Sequence, residues 1–192
     1  MTNLGNPETL AHLTVLSVPL TDPRVRPLIE GLTDEYDSRY GMMFGGVAQE
    51  MNRYPAAEFA APDGALLILQ EKGQTIAGGA FRRHDAQTAE FKRIWTHHEH
   101  RRRGLARRVL AELEAEARRL DYQHIYLTTG PRQPEAKHLY LATGYQPGFD
   151  LTADPDTITH LAFTKSLCPT ALERRIRERP EALDEQSTPG TG

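Results

Sequence analysis

Cysteine is all but absent from this chain. Cys168 is the only one, so no intrachain disulfide can form, and the usage fits a reducing cytoplasm. A surplus of charge is missing too. The 23 basic side chains face 26 acidic ones for a net charge of −3, which excludes a global polyanion-binding surface. No stretch approaches the run of about 18 apolar residues that a membrane span needs. The opening residues, Met1-Thr2-Asn3-Leu4-Gly5, lack the basic start and apolar run of a secretion signal. These absences point to a cytoplasmic protein with no membrane or nucleic-acid partner. No internal repeat is visible. At 192 residues the chain is expected to form one domain with a tail.

What the sequence does have is a concentration of arginine beside a glycine. Arg101-Arg102-Arg103-Gly104-Leu105-Ala106 follows a strand-like stretch, Phe91-Lys92-Arg93-Ile94-Trp95-Thr96, and runs into an amphipathic helix. In that helix Leu105, Val109, Leu113 and Leu120 recur at helical spacing, with Glu112, Glu114, Glu116, Arg118 and Arg119 on the other sides. A helix start carries roughly half a positive charge and free backbone N–H groups, so it favours a phosphate. Gly104 removes the Cβ that would block close approach, and the arginines add charge. The segment reads as a pyrophosphate cradle.

Around it, Leu13 to Val18 reads as a first strand, and Thr21-Asp22-Pro23 as a helix start. The helix carries Leu28, Leu32, Tyr36 and Tyr40 on one stripe and ends at Gly41; a weaker one is expected over Val47 to Tyr54. Ala65 to Leu69 and Thr75 to Arg82 form a hairpin about Lys72-Gly73. A turn at His84-Asp85-Ala86-Gln87 leads into the Glu90 strand, and further strands are expected over Ile125 to Thr129 and Thr157 to Lys165. The order is that of a mixed α/β sheet with helices on its faces. After Leu167, prolines 169, 180 and 189 punctuate a charged segment; Leu172 to Arg179 could form a short helix, and the last residues are too polar to order.

The stretch from Glu90 to Tyr145 resembles the acyl-CoA-binding core of the GNAT superfamily of N-acetyltransferases. Arg101 to Ala106 fits that family's Gln/Arg-x-x-Gly-x-Gly/Ala loop, and Glu90 to Trp95 looks like its central strand. Leu127-Thr128-Thr129-Gly130 resembles the next strand; Gln133 to Tyr140, with Gly144-Tyr145, resembles the last helix and its exit. The resemblance implies a GNAT-like fold over residues 1–167, with 168–192 as tail, and a central mixed, mostly antiparallel sheet. It implies an acetyltransferase that moves acetyl from acetyl-CoA to a primary amine by direct attack, with no metal. Arg101, Arg102, Arg103, Gly104, Leu105 and Ala106 would then hold the pyrophosphate. Backbone N–H groups near Ile94, Trp95 and Thr96 would face the thioester oxygen, where such donors can lower a barrier by a few kcal/mol. Tyr140 would protonate the CoA sulfur, and Gln133 stands where relatives carry a CoA-contacting asparagine. A homodimer is a further candidate, since related enzymes often pair.

Two readings of Glu90 stay open. An amine with pKa near 10.4 is neutral only about one part in 2,500 at pH 7, so a base helps, and Glu90 could accept the proton. It could equally pair with Lys92, two residues along on the same strand face. Asp34, Tyr36 and Asp37 on the first helix are candidates for holding a cationic amine, against a solvated acidic face. His97, His98 and His100 are read as loop histidines, because adjacent strand-end side chains point apart and only Glu99 could complete a ligand set. A non-catalytic acyl-CoA-binding module remains the alternative to an enzyme.

Overall fold

Asp22 sets the first helix. Its carboxylate accepts from the Arg24 backbone N–H at 2.9 Å, and Pro23 opens a 3-10 turn over Pro23–Val25 that leads into α1 (Arg26–Tyr40). Leu28, Leu32 and Tyr40 are its buried residues, and Gly41, at φ +52°, ends it. The computed structural model describes residues 12–41, 53–154 and 157–168.

The strands are β1 (Thr14–Ser17), β2 (Ala65–Glu71), β3 (Gln74–Arg83), β4 (Thr88–Thr96), β5 (His124–Thr129), β6 (Gln146–Pro147) and β7 (Leu161–Ser166). They form one sheet in the order β1-β2-β3-β4-β5-β7-β6. Only β4 and β5 run parallel; they are joined by α2 (Leu105–Arg119), as a parallel pair requires. α3 (Pro134–Ala142) follows β5. The mixed, mostly antiparallel sheet is the one the sequence implied. The β2–β3 turn has positive φ at both Lys72 and Gly73, the conformation that favours tight hairpins.

Strand alternation divides the core in two. On one face Leu28 and Leu32 of α1 pack with Leu66, Ile68, Ala80 and Trp95. On the other, Val109 and Leu113 of α2 pack with Leu67, Phe81, Phe91 and Phe163. Gly78 and Gly79 let both helices lie close: a Cβ would sit 2.6 Å from Leu28 at the first and 2.9 Å from Leu113 at the second. Inside the α2 face lies a buried polar knot. Glu114 Oε1 accepts from Lys165 Nζ at 2.7 Å and from the Tyr145 hydroxyl at 3.1 Å, and Lys165 also donates to the Thr143 carbonyl.

One expected boundary shifts and one strand is added. The last strand begins at Leu161 rather than Thr157, and the two-residue β6 is too short to leave a periodic signal. Most of the weaker helix expected over Val47 to Tyr54 lies outside the described residues; Arg53 and Tyr54 form a bend before a 3-10 turn, Ala56–Phe59. The tail from residue 169, where a short helix was expected over Leu172 to Arg179, and the opening residues lie outside them as well. Among the described residues no helix is long and apolar enough to cross a membrane.

Candidate active site

A bulge in β4 builds the site. Between Lys92 and Trp95 the strand spends three steps where β3 spends two, from Ala80 to Gly78. Arg93 sits there at φ +59°, a conformation that is costly for a residue with a Cβ and that clusters at functional positions. The extra residue flips the side-chain alternation. Glu90 and Lys92 share a face, and after the bulge Trp95 returns to the α1 side, where its indole fills the space left by Gly31. Pairing with β5 stops at Phe91 and Leu127, although β4 continues to Thr96 and β5 to Thr129. The two strands part, and among the described residues the backbone of β4 beyond Phe91 has no ladder partner on that side.

A cavity of about 490 Å³ opens along this parting. Tyr36 and Tyr40 of α1, Glu90 to Ile94, Thr128 to Gly130, Gln133 and Tyr140 line it, together with Arg53, Tyr54 and His160.

Glu90 is buried, at 5% exposure, and both of its oxygens are bonded. Lys92 Nζ lies 2.9 Å from one and Arg82 Nη1 donates to the other at 2.6 Å. Burial works to raise the pKa of this carboxyl, but the hydrogen bonds and charges of Lys92 and Arg82 outweigh it and hold the group below its ordinary value. The ion pair read as the alternative in the sequence is present, joined by a second cation. Arg82 also binds Glu58, at 2.6 Å, and stacks over Tyr54. Sequence reasoning missed Arg82, though hairpin register carried the signal: Arg82 and Glu90 are opposite one another across the 84–87 turn.

Tyr140 lines the cavity from α3 with its ring packed 5.3 Å from Phe163 and 5.6 Å from Tyr145. Burial, aided by the neighbouring Tyr36, pushes its pKa above the usual value, so the phenol keeps its proton and can donate it. Gln133 turns its amide oxygen inward, accepting from the Thr129 hydroxyl at 2.8 Å and the Gly130 N–H at 3.3 Å. It fastens the end of β5 to the start of α3.

The arginine loop ends in Gly104 at φ +81°, which caps α2 with no side chain hydrogen-bonded to the helix start. Arg108 donates back to Gly104 at 3.1 Å, leaving the N–H groups of Leu105, Ala106 and Arg107 ahead of that bond. A Cβ at Gly104 would meet nothing within 4 Å, so the space over the helix end is open. The arginines differ. Arg102 is exposed; Arg101 reaches Glu35 at 3.1 Å; Arg103 is bound to Glu71 at 2.6 Å and to His100 Nδ1 at 2.6 Å. Its hydrogen bond, with that of His12, holds the Glu71 carboxyl at about 2. Leu105 is core.

The acidic helix residues do not come together at the cavity. Tyr36 lines it, whereas Asp34 is exposed beside a separate shallow groove with Trp95 and His98, and Asp37 is exposed. Glu35, between them, bridges Arg39 at 3.0 Å and Arg101. His97, Glu99 and His100 offer ligand atoms within 4.8 Å of one another. The Nδ1 of His100 accepts from Arg103 and that of His97 from the Glu99 N–H, so each neutral ring carries its proton on Nε2.

Known proteins resemble this chain in sequence and fold. YsnE of Bacillus subtilis strain 168, an uncharacterized N-acetyltransferase, is 32% identical over 93 residues; the match spans 45% of this chain and 62% of that protein. A Klebsiella pneumoniae structure designated an acyl-CoA N-acyltransferase aligns with 81% of this chain and 98% of its own, at 25% identity and a TM-score of 0.62. Two more distant structures share the fold. The PaiA N-acetyltransferase of Thermoplasma acidophilum, solved in complex with coenzyme A, is 14% identical with a TM-score of 0.62, over 80% of this chain and 98% of that one. A GNAT acetyltransferase of Staphylococcus aureus is 12% identical with a TM-score of 0.66, over 81% and 99%. The model of the Acetyltransferase (GNAT) family matches residues 29–145, from α1 through the bulge, the arginine loop and α3 to Tyr145. The chain belongs to the GNAT acetyltransferase family.

Proposed function

We propose that the protein transfers an acetyl group from acetyl-CoA to a primary amine by direct attack, without a covalent enzyme intermediate. The observation that carries this reading is the parting of β4 from β5 beside a cavity of about 490 Å³, in a chain that runs on from β4 into the open, uncapped start of α2. Three features fit an acyl-CoA along that line: the free N–H groups of Leu105 to Arg107, the unladdered backbone of β4, and the Thr96 hydroxyl, buried without a hydrogen-bond partner. Acetyl-CoA supplies a thioester, whose carbonyl is open to attack by an amine.

The residues then divide the work. Arg102 and the helix start take the pyrophosphate, and Arg101 joins them by leaving Glu35. Backbone N–H groups about Ile94 stabilise the oxygen that gains charge on attack. Tyr140, held protonated, gives its proton to the departing sulfur. The sequence offered Glu90 as the base for the amine. With both oxygens bonded and its pKa lowered it is a weak one, and its proposed task is to fix Lys92 and Arg82 at the cavity wall. The ammonium proton leaves to water before attack; the second nitrogen proton is shed as the tetrahedral adduct collapses and returns through water to the Tyr140 phenolate left by protonating the sulfur.

A thiol-release assay with acetyl-CoA and a panel of amino acids, polyamines, aminoglycosides and peptides tests the proposal. CoA release that depends on the amine, with an N-acetyl product seen by mass, is the expected result. Calorimetric binding of acetyl-CoA without release against every amine would instead describe a binding module.

A further inference from the structure

Arg101 and Arg103 are both paired to glutamates, and the two pairs differ in kind. Arg101 meets Glu35 through one nitrogen, at 3.1 Å, with its side chain 48% exposed. Arg103 meets Glu71 as a fork: Nη2 donates to one carboxylate oxygen at 2.6 Å and Nη1 to the other at 3.2 Å. Nη1 also reaches His100 Nδ1 at 2.6 Å, and His12 Nε2 lies 2.6 Å from the Glu71 oxygen that takes the shorter bond of the fork. An exposed single contact is worth little, whereas a bidentate pair inside a network holds its geometry. Glu71 closes β2 beside the Lys72-Gly73 turn, and His100 ends the 3-10 turn His98–His100 that follows β4. The fork therefore ties the arginine loop to the β2–β3 hairpin.

The loop needs such a tie. Arg102 stands at φ +64° and Gly104 at φ +81°, so Arg103 sits between two left-handed residues, and at Arg102 that conformation is costly. Immediately beyond, Leu105 is buried in the core and begins α2. With Arg103 fixed on one side of Gly104 and Leu105 on the other, two anchors aim the peptide groups that open the helix. From this we infer that Arg103 is a positioning residue for acyl-CoA: its fork to Glu71 holds the loop so that the N–H groups of Leu105 to Arg107 face the diphosphate. This rests on the acyltransfer reading above and departs from the phosphate contact that the family resemblance implied for Arg103. The three arginines then divide. Arg102 meets the phosphates, Arg101 exchanges Glu35 for them, and Arg103 stays where it is. The brace also gives Glu71 an effect opposite to that of its charge. A carboxylate near a diphosphate repels it, so its removal by charge alone would tighten binding. As half of the brace, its removal loosens the loop and weakens binding.

Calorimetry of acetyl-CoA binding to the full chain tests this in Glu71→Gln, Arg103→Gln, the double variant and Arg103→Lys, each at low and at high salt. Glu71→Gln and Arg103→Gln are each expected to weaken binding roughly five-fold or more, and the double variant to stay within about two-fold of either, as for two halves of one interaction. Arg103→Lys keeps the charge but loses the fork, and is expected to weaken binding about as much as Arg103→Gln. The salt dependence of the dissociation constant should match wild type in Arg103→Gln, because no phosphate contact has been removed. Thermal melting shows which variants are folded, and Arg103→Lys, the mildest change, carries the test if another is not. Glu71→Gln that binds acetyl-CoA as tightly as wild type or more tightly overturns the inference, even if it melts at a lower temperature. So does a flattened salt dependence in Arg103→Gln, or full affinity in Arg103→Lys, either of which makes Arg103 a phosphate ligand. In those cases acetyl-CoA still binds the wild-type protein and the acyltransfer reading stands; wild-type protein that binds no acetyl-CoA removes both.

Discussion

Among the described residues two glutamates are buried, Glu90 on β4 facing the α1 side and Glu114 on α2 against the other face of the sheet, and both are paired to a lysine. Glu114 is 8% exposed and Glu90 5%. Glu114 is enclosed by α2, β7 and the turn after α3: Lys165 and Tyr145 share one oxygen, and Arg118 lies 3.8 Å from the other. Glu90 binds Lys92 and Arg82, and it opens onto a 490 Å³ cavity that Glu114 does not touch. By burial and partners alone the two would be classed together. Access separates them. A buried ion pair removed from solvent costs much of what it gains and acts chiefly to fix geometry. The same pair beside a cavity directs charge at whatever enters.

The largest effect expected from this contrast is on stability. Lys165→Met strips Glu114 of its cation inside the core and should destabilise the fold by about 3 kcal/mol, seen in urea melts. A loss below about 1 kcal/mol would mean the knot is wet and the contrast is weaker than drawn.

Next comes Tyr140→Phe, on the cavity side. Removing the hydroxyl should lower turnover by roughly 10- to 100-fold, the range for a positioned acid, with little change in melting temperature. Turnover does not vanish, because a thiolate of pKa near 8.5 is a fair leaving group. An unchanged turnover number would return Tyr140 to the role of a core aromatic.

Gly104→Val should weaken acetyl-CoA binding by roughly ten-fold or more, since its side chain would stand in the open space over α2 and strain a backbone at φ +81°. Calorimetry on the folded variant checks it; full affinity would remove the cradle from the account.

Acid titration sharpens the comparison more gently. The Glu90 pKa is lower folded than unfolded, so its stabilising contribution is present above the unfolded value, near 4.5, and is lost as pH falls through the folded one. Glu90→Gln should flatten that part of a stability curve measured from pH 7 to pH 3. A curve that keeps its full slope would mean that Lys92 and Arg82 do not hold this carboxylate. The smallest change expected is in Glu35→Gln. Freeing Arg101 from a part-exposed pair should tighten acetyl-CoA binding about two-fold, in line with the small worth of such pairs.

Much of this was legible in the sequence, for identifiable reasons. Local chemistry marked the elements: Asp22-Pro23 as a helix start, Lys72-Gly73 as a hairpin turn, Gly104 as the entry to α2. The fold class followed from their order. The bulge at Arg93 left no such mark, because one inserted residue in a nine-residue strand does not disturb composition, and it sets which face Trp95 takes. The position of Tyr140 followed from helical spacing within a resembled motif. The acidic stretch at Asp34 to Asp37 misled because a helix turns successive carboxylates to different sides, and only Glu35 meets the basic loop. The charge of the cavity was illegible for a further reason. It is assembled from β4 and the segment around Arg53, and no local pattern shows that distant cations share a wall.

The most direct test of the contrast is a side-by-side assay of amine-dependent CoA release in the wild-type protein, Lys165→Met and Lys92→Met, at a temperature where all three are folded. If access is what distinguishes the two clusters, Lys165→Met keeps a kcat/KM for the amine within about two-fold of wild type, and Lys92→Met loses roughly ten-fold or more. Equal losses in both, or a Lys92→Met enzyme as active as wild type, would contradict it.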